Sequence, residues 1–291
     1  MKRSMSMLSR QEQLAERTAR QARSDEVCVE PVWMQNVDRV LLDLGFDGFS
    51  VSSSVILLPE LRFKTLLKGV LDRISSGKVM IVDALNTRFE QLKSSVSNEK
   101  ASLYFSAQEV SSLNYASDVF HLALTEIGLS TLLRLEQVLP SYRRVLKSDG
   151  RLILATPVEG SFEAFFDIFG ESLYCLYPDF HEVVMEEIDE SMRTKNFEEV
   201  VIDSGFDVLE ARDMAFKLEF PNAEQMLFST LVESHYLGVC MGLRRPEIDS
   251  RALLTHVVRS FHHYFQGESI TVDMHYRCMS CGKSPSFSSG F

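Results

Sequence analysis

The sequence has no long hydrophobic run, no surplus of positive charge and few cysteines. No apolar stretch approaches the roughly 20 residues that a helix needs to cross a bilayer, so we expect no membrane span. The formal net charge of −11 repels phosphate backbones and argues against a nucleic-acid-binding protein. The five cysteines are an odd number at irregular spacing, which is untypical of a disulfide framework and indicates a reducing compartment.

The first part of the chain lacks the hydrophobic core of a secretory signal. It carries several arginines, as mitochondrial transit peptides do: Arg3, Arg10, Arg17, Arg20 and Arg23. Such peptides avoid acids, however, and Glu12 and Glu16 lie in the same segment. We therefore interpret residues 1–34 as a polar, helical lead-in and expect a cytoplasmic protein, with the mitochondrion as the alternative.

Apolar, β-branched runs alternate with stretches of helical spacing over most of the chain. The runs predict strands at Val51–Leu58, Lys78–Asp83, Ser102–Phe105, Asp118–Leu124, Arg151–Thr156, Phe206–Phe220 and Ile270–Cys278. Strands that alternate with helices predict crossovers and a parallel sheet that is covered on both faces. We expect residues 35–281 to form one α/β domain. Residues 282–291 are rich in serine, glycine and proline and predict a disordered tail.

The sequence offers little recognisable site chemistry. Cys278 and Cys281 form one CxxC pair, but a structural zinc site needs four ligands, usually as two such pairs. Because no second pair exists, we expect no metal site. The sequence has no phosphate-binding P-loop, no G-x-S-x-G nucleophile elbow and no paired-carboxylate signature, so no catalytic residue is assigned.

One segment carries a family resemblance. Leu139–Pro157 reads LPSYRRVLKSDGRLILATP, in which Arg144–Lys147 and Gly150 match a helix ending in R-V-L-K-P-G-G that leads into a strand. This motif, together with Gly205–Val208 (GFDV) for A-G-F-x-V, resembles class I S-adenosylmethionine-dependent methyltransferases. Over residues 8–281 the order of motifs is similar to the BioC-like branch and to mitochondrial complex I assembly factors. The resemblance implies a Rossmann-like fold: a central, mostly parallel seven-stranded sheet with helices on both faces.

Two segments compete for the glycine-rich cofactor loop that the resemblance implies after the first strand. Leu42–Phe49 (LDLGFDGF) looks like L-D-x-G-x-G-x-G, but its periodicity is helical and it lies far from the second strand. Val55–Leu58 followed by Pro59–Arg62 lies at the distance of one crossover and is preferred. This loop has no glycine, whose freedom lets a backbone approach the cofactor, so its side chains would crowd the methionine group.

The resemblance also implies cofactor contacts at the ends of the next two strands. Asp83 matches the acid that holds the ribose hydroxyls, although a strand-end turn residue is the alternative. Ser106 stands where the family often has an aspartate that meets the adenine amino group. With the first loop, the implied contacts are Leu58, Pro59, Glu60, Asp83, Ser106 and Ala107.

Two functions stay open from the sequence. The favoured one is a pseudoenzyme: a degenerate methyltransferase-like protein that binds a protein partner or a small ligand, in an assembly, regulatory or scaffold role. Its S-adenosylmethionine site would be lost or altered, and it would need no cofactor. The alternative is an active S-adenosylmethionine-dependent methyltransferase on a small molecule, a carrier-bound acyl group or a protein. Catalysis would then rest on the proximity and orientation of methyl donor and acceptor.

Overall fold

A computed structural model describes residues 32–48, 53–61, 64–84, 89, 92–93, 101–227, 229, 232, 245–266 and 268–285. The strands in these ranges are β1 (Ser54–Pro59), β2 (Gly77–Asp83), β3 (Ala101–Ala107), β4 (Phe120–Glu126), β5 (Leu146–Pro157), β6 (Phe206–Phe220) and β7 (Ile270–Lys283). The helices are α1 (Val32–Phe46), α2 (Lys64–Arg73), α3 (Leu129–Leu132), α4 (Leu135–Val145), α5 (Glu163–Leu176), α6 (Pro178–Met192), α7 (Thr194–Asp203), α8 (Ala223–Leu227) and α9 (Ser250–Phe265).

The strands form one seven-stranded sheet in the order β3-β2-β1-β4-β5-β7-β6. Strands β1 to β5 are parallel to one another, while β7 runs antiparallel to both β5 and β6. The predicted mostly parallel sheet is therefore confirmed. The first strand lies in the preferred position, because Leu42–Phe46 of the competing segment belongs to helix α1.

Helices cover both faces of the sheet. Gly45 of α1 packs against one face, where a Cβ atom in its place would lie 3.1 Å from Leu124 Cδ2. Thr125 is the next residue of β4 and points to the opposite face, where its side chain lies close to Tyr142 of α4. The consecutive residues Leu122, Ala123 and Leu124 of β4 are consequently fully buried, as the continuous apolar run predicts.

The two ends of the domain differ from the predicted boundaries. Helix α1 begins at Val32, so the boundary between residues 34 and 35 falls inside a helix. Strand β7 continues to Lys283 because it pairs with the first residue of β6, Phe206. The sheet thus extends into the segment that was predicted as a tail. The predicted lead-in up to residue 31, and residues 286–291, lie outside the described residues. Among the helices that the structure describes, none is long and apolar enough to cross a membrane.

Candidate functional site

The carboxyl ends of β1, β2 and β3 lie side by side and carry the implied cofactor contacts. In the sheet register Pro59 is opposite Val82, and Asp83 is opposite Ala107. The Glu60 amide donates to the Val82 carbonyl at 2.7 Å. The implied contacts therefore share one edge of the sheet, while their role in binding stays a prediction.

The loop after β1 has the backbone of a glycine turn without the glycine. Glu60 has φ 49°, which lies in the left-handed region. That conformation costs a residue with a side chain about 1–2 kcal/mol, and glycine adopts it freely. The Glu60 carboxylate accepts a hydrogen bond from the Thr131 hydroxyl of α3, with 3.3 Å between Oε2 and Oγ1. The turn thus combines a backbone conformation typical of glycine with a charged side chain.

A small cavity lies between the carboxyl ends of β1 and β4, where the strand order of the sheet reverses. This is the switch point of the sheet, since β2 and β3 lie on one side of β1 and the strands from β4 onward on the other. Ligands of open α/β sheets bind in the crevice at such a point. The cavity is lined by Met34, Asp38, Pro59, Glu60, Leu61, Leu66 and Glu126. Its volume is about 10 Å³, roughly what one water molecule needs.

Three carboxylates from different elements line the cavity: Asp38 of α1, Glu60 of the β1 loop and Glu126 of β4. Asp38 and Glu126 are buried, with 3% and 7% of their surface exposed. The hydroxyl of Tyr276, on β7, donates to Glu126 Oε1 at 2.9 Å. Nearby, burial raises the pKa of Tyr142 well above its usual value, and the negative charge of Glu60 raises that pKa further. The crevice is therefore narrow and acidic.

The other implied contacts do not line this cavity. Leu58 is fully buried in the hydrophobic core. Asp83 is half-buried at the end of β2, and its carbonyl accepts a hydrogen bond from the Gln108 amide at 3.1 Å. The Gln108 side chain donates to Ser106 Oγ at 2.9 Å. Of the six implied contacts, the structure thus brings Pro59 and Glu60 to the cavity and leaves Asp83, Ser106 and Ala107 farther along the same edge.

Three residues of this site were missed from the sequence. Asp38 is an acid between the apolar residues of α1, a pattern that could have indicated a buried polar site. Glu126 ends a parallel strand beside the switch point, where ligand-facing side chains are expected. Tyr276 carries no local signal, because only the pairing of β7 with β5 brings it beside Glu126.

The CxxC cysteines do not form a joint site. Cys278 and Cys281 are three residues apart in β7, and side chains at that spacing point to opposite faces of a sheet. Burial raises the pKa of each thiol to about 12, which keeps it protonated. In the described ranges, no three histidine, cysteine or acidic side chains are placed to hold a metal ion.

Comparison with known proteins gives matches among solved structures alone; no family model and no curated protein matches the sequence. A putative methyltransferase from Bacillus halodurans C-125 has a TM-score of 0.54 and 11% identity, over 85% of this chain and 98% of that one. A chain of the complex between the Haloferax volcanii Trm112 methyltransferase activator and a putative methyltransferase has a TM-score of 0.51 and 13% identity, over 97% and 99%. The chain has the class I methyltransferase fold.

These similarities establish the fold and do not establish an activity. The [4+2]-cyclase SpnF also matches, with a TM-score of 0.50 and 12% identity over 86% of this chain and 80% of that one. A cyclase among the neighbours illustrates that one fold hosts different chemistries. At the switch point the described residues leave room for about one water molecule, so S-adenosylmethionine does not fit into this cavity as it stands.

Proposed function

We propose that this chain is a degenerate methyltransferase-like protein that acts by binding, in an assembly, regulatory or scaffold role, without S-adenosylmethionine as a cofactor. The observation that carries the proposal is the small, acidic cavity at the switch point. It has room for about one water molecule, and two of the residues that line it, Pro59 and Glu60, come from the loop that the resemblance assigns to the cofactor.

The hydrogen bonds of the loop also support the proposal. Phosphate- and cofactor-binding turns present free amide groups to a ligand. Here the Glu60 amide donates to the Val82 carbonyl, so it is already used within the protein. A ligand that approached this turn would meet a carboxylate where the family presents a bare backbone.

A protein partner is the ligand class that we favour. The resemblance to the branch that includes complex I assembly factors supports an assembly role. The match to a chain of the complex between the Haloferax volcanii Trm112 activator and a putative methyltransferase supports, by analogy alone, a methyltransferase fold that works with another protein. We expect the partner to be a protein and the compartment to be cytoplasmic or mitochondrial.

Isothermal titration calorimetry of the full chain with S-adenosylmethionine and with S-adenosylhomocysteine tests the proposal. We expect no measurable binding of either compound. Binding that is lost in Asp83→Ala, but kept in the matched control Asp72→Ala on the exposed side of α2, would overturn it.

One observation favours the second candidate, an active S-adenosylmethionine-dependent methyltransferase. Asp83 still ends β2 opposite Ala107, in the position that the resemblance assigns to the ribose-binding acid. The same titration separates the two functions, because an active enzyme must bind the methyl donor before it can react.

A further inference from the structure

We propose that the side chain of Glu60 is a built-in plug: it determines what the switch-point cavity admits, and its removal opens the cavity to the methionine end of S-adenosylmethionine. This inference rests on the proposed function, in which the wild-type chain does not bind that compound. It goes further by assigning the closure to one side chain instead of to the loop as a whole.

The backbone of the turn is held without help from the Glu60 side chain. The amide of Glu60 donates to Val82, and Pro59 is part of β1 in register with β2. The carbonyl of Pro59 accepts a 3.5 Å hydrogen bond from the Thr125 hydroxyl on the neighbouring strand. Since φ at Glu60 already suits glycine, a glycine there requires no rearrangement of the loop.

The side chain itself spans the crevice. It starts at the β1 loop and ends at the Thr131 hydroxyl of α3, which follows β4. Thr131 is itself buried, so this contact is held within the protein. The Glu60 side chain therefore bridges the two sides of the switch point.

The other acids of the cavity are less suited to this role. Asp38 lies within the regular helix α1, and Glu126 ends a strand and is bound by Tyr276. Both belong to elements whose backbone has ordinary geometry. Only Glu60, among the described lining residues, combines a left-handed backbone with a side chain in the cavity. Such strained positions persist where the surrounding structure enforces them, and they concentrate at functional sites.

The experiment compares the wild-type chain with three variants, by calorimetric titration with S-adenosylhomocysteine and with adenosine. Glu60→Gly removes the plug, Glu60→Gln keeps its size without the charge, and Thr131→Val removes the hydroxyl that holds it. We expect Glu60→Gly to bind S-adenosylhomocysteine measurably, at least about tenfold more tightly than the detection limit that bounds the wild type. Adenosine should gain less, because it lacks the methionine end. Glu60→Gln should remain closed, and Thr131→Val should gain an intermediate amount.

Each outcome bears on a distinct claim. A folded Glu60→Gly variant with no gain for S-adenosylhomocysteine overturns the plug and leaves the proposed function standing. An equal gain in Glu60→Gln also overturns it, because charge and not volume would then close the cavity. Strong binding by the wild type overturns the plug and the proposed function together. If Glu60→Gly fails to fold, Thr131→Val still tests the plug, because this substitution leaves the loop after β1 unchanged. Unchanged affinity of Thr131→Val for S-adenosylhomocysteine would then contradict the plug.

Discussion

The left-handed backbone at Glu60 predicts an unusual order of stability between two substitutions. Glu60→Gly and Glu60→Ala both remove the carboxylate and its hydrogen bond to Thr131, so their difference isolates the backbone. A Cβ atom in the left-handed region costs about 1–2 kcal/mol. Glycine in turn lowers the stability by about 0.4–1 kcal/mol relative to alanine, because it gives the unfolded chain more conformational entropy. We therefore expect the glycine variant to be more stable than the alanine variant by about 1 kcal/mol.

Urea unfolding followed by circular dichroism measures this difference. At a position with ordinary φ, alanine is the more stable of the two, so the predicted order is the reverse of the usual one. Equal slopes of the unfolding transition would show that the two variants unfold from comparable states. If alanine proves as stable as glycine, Glu60 does not hold the left-handed conformation, and the argument for a glycine-like turn is wrong.

Three further predictions concern other parts of the sheet. Gly77 has φ 148°, and an alanine Cβ there would lie 2.2 Å from the Ser54 carbonyl oxygen, so Gly77→Ala should cost more than about 3 kcal/mol in urea unfolding. Tyr276→Phe removes the donor to buried Glu126 and should cost about 1–3 kcal/mol, with Thr271→Val as a surface control. Burial, and then Lys147, lower the pKa of His121. The folded state therefore binds that proton less tightly than the unfolded state, and stability should fall as the pH drops through 6.5, less so in His121→Gln.

Most of the fold could be predicted from the sequence, because each strand and helix is indicated by the residues within it. The apolar run at Val55–Leu58 and the one ending at Asp83 each make a buried parallel strand, and their spacing fits one crossover. This spacing also decided between the two candidate cofactor loops, since the glycine-bearing segment before Asp47 is helix α1. The end of β7 was placed too early, because pairing with Phe206 extends the strand beyond its apolar run.

The site could be predicted in part. The loop at Pro59 and Glu60 follows from the strand that precedes it, and both residues reach the cavity. Asp38 and Glu126 reach it from elements far apart in the chain, which only the assembled sheet brings together. Tyr276 reaches Glu126 only because β7, the last strand in the chain, pairs antiparallel with β5. Local sequence patterns predict strands and helices, whereas a cavity depends on contacts between elements that are far apart in the chain.

A crevice at the switch point follows from topology and does not by itself imply a ligand. Once β1 and β4 send their connections to opposite sides, the protein must fill the gap with a ligand or with its own side chains. This chain fills it with its own, and three of them are carboxylates. Carboxylates that share a site repel one another, and burial of each one costs free energy. A filling that maximised stability would use apolar residues such as Leu61 and Leu66, so stability alone does not explain the three acids.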